Sequence, residues 1–150
     1  MFQQHEISQL AGRAPDVDLF AERVVEGIIA TSPTGLGSTV RFDREPGDSC
    51  SFIVFAHRKA IHFGLEHAVY GRPNGKELVG LYRPYTVDKN GKWTEHDDVA
   101  LLYPANNLIL DDGSSIELPT KPTPGDFREL QDGFTRFALK VVHATLTKLP

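Results

Sequence analysis

Two strand-like runs, Ser49–Ala56 and Ala60–Tyr70, are separated only by Arg58-Lys59 and the residue before them. So short a link allows only an antiparallel hairpin, because parallel neighbours need a crossover of a dozen or more residues. With Arg58-Lys59 as the turn, Cys50 falls opposite His67. Phe52, Val54 and Ala56 then share a face with Ile61, Phe63 and Leu65. The other face carries Ser51, Ile53, Phe55, His57, His62 and Glu66. One face is wholly apolar and the other mixed, as expected of a sheet with one side on a core. Arg-Lys is a poor pair for a tight primed turn.

The hairpin sits inside a longer run of strand signals. A strand is expected at about Ser38–Phe42, followed by a turn at Arg44–Asp48. Arg72-Pro73-Asn74-Gly75 reads as a turn. Glu77–Val87 follows as a strand that is apolar on both parities, as if covered on both sides. After the turn Asp88–Gly91, Lys92–Tyr103 reads as one strand, ended by Pro104. Leu108–Leu110 and Ile116–Leu118 flank the turn Asp111–Ser114.

Helical patterns lie at the two ends. Val17, Phe20, Ala21, Val24, Val25, Ile28 and Ile29 recur at helical spacing, so a helix opens at Asp16 or Asp18 and stops near Ala30. Residues 1–14 read as a loose arm, with Pro15 at the helix start. Phe127, Leu130, Phe134, Phe137, Ala138, Val141 and Val142 form an apolar stripe running to about Thr147. Asp126 and Glu129 are spaced as a capping box, after a proline-rich connector at 119–125. Helices segregated from six or seven strands indicate an α+β domain spanning 1–150, with an antiparallel meander sheet.

The 40% hydrophobic and 24% charged residues are those of a chain that folds rather than stays disordered. No apolar run is long enough to cross a bilayer, and no secretory signal opens the chain. The single cysteine, Cys50, rules out an internal disulfide and fits a reducing, cytoplasmic setting. The net charge of −4 weighs against nucleic acid as the main partner. Basic residues concentrate between Arg58 and Lys92 and acidic ones between Glu95 and Asp132, which would suit docking or self-association.

Three sets of residues could carry function. Cys50 opposite His67, or with His62, would pair a thiol with an imidazole base, as a cysteine-dependent amidase or deamidase requires. Tyr82, Arg83, Tyr85 and Trp93 could stack a planar ligand or RNA bases on the sheet. His57, His62 and His67 are spaced by five and alternate faces. Only His57 and His62 can then meet across the hairpin, so no metal site and no cofactor is expected. In a strand the adjacent carboxylates of Asp97-Asp98 and Asp111-Asp112 would point to opposite faces, so they are poor acid/base pairs, and Asp111-Asp112-Gly113 reads as a turn. The sequence therefore favours a non-enzymatic binding or self-assembling module of the chaperone, immunity-protein or shell-protein kind. It would form a homodimer or larger assembly, or hold a protein partner.

Overall fold

The computed structural model describes residues 4–33, 35–72, 75–104, 107–118 and 127–150. It is an α+β fold with two α-helices and one curled antiparallel sheet of eight strands. Helix α1 spans Gln4–Ala30 and helix α2 spans Arg128–Thr145. Between them run β1 (Arg41–Glu45), β2 (Asp48–Ala56), β3 (Lys59–Arg72), β4 (Gly75–Val87), β5 (Trp93–Glu95), β6 (Ala100–Leu102), β7 (Asn107–Ile109) and β8 (Ser115–Glu117). The strands lie side by side in chain order, a meander, except that β5 and β6 pair with different lengths of β4. Among the described residues no helix is long and apolar enough to cross a membrane.

Helix α1 begins at Gln4, not at Asp16 or Asp18, and Pro15 lies inside it. Residues 4–14, read from the sequence as a loose arm, are its first turns. A proline inside a helix removes one backbone hydrogen bond. The carbonyl it frees belongs to Ala11, which is exposed, so water can take the lost bond and the helix continues. An ion pair between Glu6 and Lys76 at 3.2 Å fastens these turns to the sheet.

The β2–β3 hairpin turns at His57-Arg58, one residue earlier than expected. Both take left-handed φ values, 49° and 64°, which makes the turn type I′. Phe52 therefore pairs with Phe63 rather than with Leu65. A slide of two positions leaves every side chain on its expected face, so the apolar face is as anticipated.

Two other strand expectations change. The first strand starts at Arg41, after a 3-10 helix at Gly35–Thr39. The single strand expected at Lys92–Tyr103 is split into β5 and β6. Pro84 explains the break. It has no N–H to offer the neighbouring strand, and only its carbonyl is used, accepting from the His96 N–H at 3.0 Å.

Both helices pack on the same face. Ala21, Val24, Val25 and Ile28 of α1 join Leu130, Phe134, Phe137 and Val142 of α2 over Phe52, Val54, Ile61, Phe63 and Tyr82. Phe134 stands edge-on to Phe52 (4.9 Å) and Phe63 (5.3 Å), which stack on each other at 5.1 Å. Gly80 lets α1 approach β4, since a Cβ there would lie 3.2 Å from Val17 Cγ1.

Gln131 joins the two helices. Its amide Nε2 donates to the Ile28 and Thr31 carbonyls, both at 3.0 Å, which closes the C-terminal end of α1. The expected cap Asp126 and the connector 119–125 lie outside the described residues. Phe127, just before α2, makes no side-chain cap.

Candidate functional site

Strand alternation and register together define the face that neither helix covers. Asp43 pairs with Ile53, Ile53 with His62, His62 with Tyr85, and Tyr85 with Glu95. These residues form one row straight across five strands. Their neighbours Phe52, Phe63 and Tyr82 point into the core, so the row points outward. Beside it, Arg41 pairs with Phe55 and Val87 with Trp93.

Aromatic rings organise this outer face. His62 stacks on Tyr85 at 4.8 Å with the planes 11° apart. Tyr85 packs on Trp93 at 4.6 Å. Gly64 leaves room for the Tyr85 ring, because a Cβ at Gly64 would lie 3.3 Å from Tyr85 Cε1. The His62 Nδ1–H donates to Glu45 Oε2 at 2.7 Å, which fixes the imidazole plane. Burial, then Glu45 and Asp48, push the Tyr85 hydroxyl above its usual pKa, so it stays neutral and able to donate. Trp93 ends the stack and is 62% exposed. Further along, the Arg41 guanidinium lies 4.2 Å from the centroid of Phe55. Arg83 reaches Glu66 only loosely, at 3.9 Å. The arrangement is a braced aromatic platform on the outer side of the curled sheet, with charges at its margins.

Of the four stacking candidates, Arg83, Tyr85 and Trp93 lie on this face and Tyr82 does not. Tyr82 is fully buried, and its hydroxyl donates to the Cys50 carbonyl at 2.8 Å. Phe55 lies on the outer face, as alternation along β2 places it. Arg41 and Glu45 join it there, and only the β1–β2 register reveals them.

Cys50 and His67 do not form a thiol–imidazole pair. Asp18 of α1 takes both. The His67 Nε2–H donates to its carboxylate at 2.7 Å, and the Cys50 thiol donates to its backbone carbonyl at 3.5 Å. Burial, followed by the charge of Asp18, pushes the Cys50 thiol up to about 11. His62, the other proposed base, is engaged with Glu45 and Tyr85. An activated nucleophile needs a depressed pKa, and this environment does the opposite.

Alkylation of Cys50 by iodoacetamide is therefore expected to be slow near neutral pH. A rise from 9.0 to about 11 leaves about a hundredfold less thiolate. The rate should climb with pH toward 11, and a plateau below pH 8 would contradict the assignment. The linkage has a definite sign. A raised folded pKa stabilises the fold below the unfolded pKa, near 9, and that stability is lost as pH rises toward 11.

The remaining histidine expectation also changes. His57 does not meet His62 across the hairpin; it meets His143 of α2, with Nε2 to Nε2 at 3.1 Å. Among the described residues no three of His, Cys, Asp and Glu converge as a metal cluster. Two shallow clefts of about 180 and 150 Å³ adjoin along Arg13, Glu77 and Leu78. Each is smaller than the volumes usual for small-molecule sites. Comparison with protein families, with curated proteins and with solved structures finds no match.

Proposed function

We propose that this chain is a non-enzymatic binding module that self-associates through its outer sheet face, pairing copies across the His62–Tyr85–Trp93 platform. The observation that carries the reading is the platform itself. A packed trio of rings, braced by Glu45 and Gly64, ends in an exposed tryptophan on a face left bare by both helices. Aromatic residues of this kind dominate interface energetics.

The sheet edges are poor alternatives. Edge strand β1 has the sequence Arg-Phe-Asp-Arg-Glu and carries a register shift at its end. Edge strands β5 and β8 have only three residues each. Charged, bulged or very short edges resist edge-to-edge pairing, which favours the face over these strands. Its margins carry both signs, with Arg41 and Arg83 against Asp43 and Glu95, so two copies related by a two-fold axis can match opposite charges.

Trp93 is the only tryptophan, so its emission reports on this surface alone. Between low and tens of micromolar protein, the emission should shift to the blue as the mass by light scattering rises from one chain to two. Trp93→Ala should weaken association by about 2 kcal/mol or more, roughly thirtyfold in Kd, as expected for a central aromatic. A monomeric mass with an unchanged emission maximum across that range would refute self-association. A blue shift without a mass change, obtained on adding oligonucleotide or another planar ligand, would instead favour stacking of a ligand on Trp93 beside Arg83.

A further inference from the structure

His57 and His143 are brought together from opposite ends of the fold. His57 occupies the first position of the left-handed β2–β3 turn, and His143 lies in the last turn of α2. Their Nε2 atoms are 3.1 Å apart and their ring centroids 5.1 Å apart. Both side chains are exposed. The turn is tied down next to them, since Lys59 Nζ donates to the Thr145 carbonyl at 3.4 Å and to its hydroxyl at 3.3 Å. The Lys59 side chain thus links the turn to the end of α2 beside the two rings.

We propose that His57 and His143 form a chelating site for a divalent ion of the late first-row transition metals, such as nickel, copper or zinc. Two metal–nitrogen bonds of about 2.0–2.1 Å, meeting at octahedral or tetrahedral angles, place their nitrogens about 2.9–3.4 Å apart. The observed 3.1 Å lies within that span. Neutral imidazole is the ligand these ions prefer, whereas magnesium and calcium take oxygen.

Without an ion, one ring must donate its Nε2–H to the lone pair of the other. On binding, a neutral donor ring shifts its proton to Nδ1, and an imidazolium ring releases its Nε2 proton to solvent, so that both Nε2 lone pairs face the ion. The carbonyl end of α2 favours a cation there. Arg58 and Lys59, adjacent to His57, oppose it, so the site suits ions that bind imidazole strongly. The two histidines fill two coordination positions, and water or an added donor fills the rest.

The site is separate from the outer face, so it stands or falls on its own. The test is calorimetric titration of the full, untagged chain with nickel chloride near neutral pH. One equivalent should bind, and nickel should raise the melting temperature, because the ion binds the folded state and not the unfolded one. His57→Asn, which tolerates the left-handed backbone, and His143→Gln should each weaken binding about tenfold or more, at least the loss that follows removal of a mere supporting partner. His5→Gln should not. Wild-type affinity in both variants, or no binding at millimolar nickel, overturns the site. If a variant fails to fold, paramagnetic broadening in the unaltered protein decides. Loss of the His57 and His143 ring resonances ahead of the other histidines supports the site, and any other order rejects it.

Discussion

Phe134→Ala should destabilise the fold by about 3–5 kcal/mol, the range for removing a fully buried aromatic ring. Phe134 is 0% exposed and stands edge-on to three rings, Phe52, Phe63 and Tyr82, at 4.9, 5.3 and 5.8 Å. Truncation removes its own burial, leaves a cavity and strips one face from each neighbour. Domains of this size have about 5–15 kcal/mol of stability in all, so the variant would be marginal. Urea unfolding followed by circular dichroism would measure it as a lower midpoint at an unchanged slope. Phe134→Leu should keep most of the stability, because much of the volume remains. A loss below about 1 kcal/mol for the alanine variant would mean that Phe134 is not the centre of the core.

Gly27→Ala and Gly12→Ala lie on the same helix and should have opposite signs. Alanine is the better helix former by about 1 kcal/mol, which favours both. At Gly12 a new Cβ meets nothing within 4 Å, so that gain should be realised. At Gly27 the Cβ would lie 2.3 Å from Phe127 Cγ and 2.4 Å from both Cδ atoms. Phe127 is itself buried at the start of α2, so its ring has no free space to yield. Overpacking should reverse the gain into a net loss of about 2 kcal/mol or more. Paired thermal melts of the two variants read the signs directly. Stabilisation by both would show that α1 and α2 do not meet as described.

What the sequence revealed follows from which physical signals are local. The apolar stripe of α2 and the faces of β2 and β3 were legible because periodicity depends only on neighbours in the chain. The faces survived even though the turn was misplaced, since Phe52 moved from Leu65 to Phe63 without changing parity. The turn itself was not legible. His57 and Arg58 adopt a conformation that favours Asn or Gly, and the tie from His57 to His143 comes from distant chain. The start of α1 was hidden by Pro15, which ends helices unless its freed carbonyl faces water.

The candidate residues divide along the same line. Arg83 and Tyr85 share one face of β4 by alternation and Trp93 joins them through the β4–β5 register, while Tyr82, on β4 as well, falls on the buried side. Asp18 could not be anticipated as the partner of both Cys50 and His67, because it approaches from α1 across the sheet. The same is true of Glu45 beside His62, which depends on how β1 registers on β2.

The order of synthesis gives the Gln131 contact a temporal meaning. All eight strands and α1 are made before α2, yet α2 brings Phe134 to the centre of the core and Gln131 to the open end of α1. At about 5–20 residues per second, the roughly thirty residues from Leu118 to the end of α2 take a few seconds to make. During that interval the nascent sheet presents Phe52 and Phe63 without their cover, and α1 has unfilled carbonyls. A stop codon anywhere before Phe134 would make that interval permanent, leaving a chain marked for chaperones or proteases.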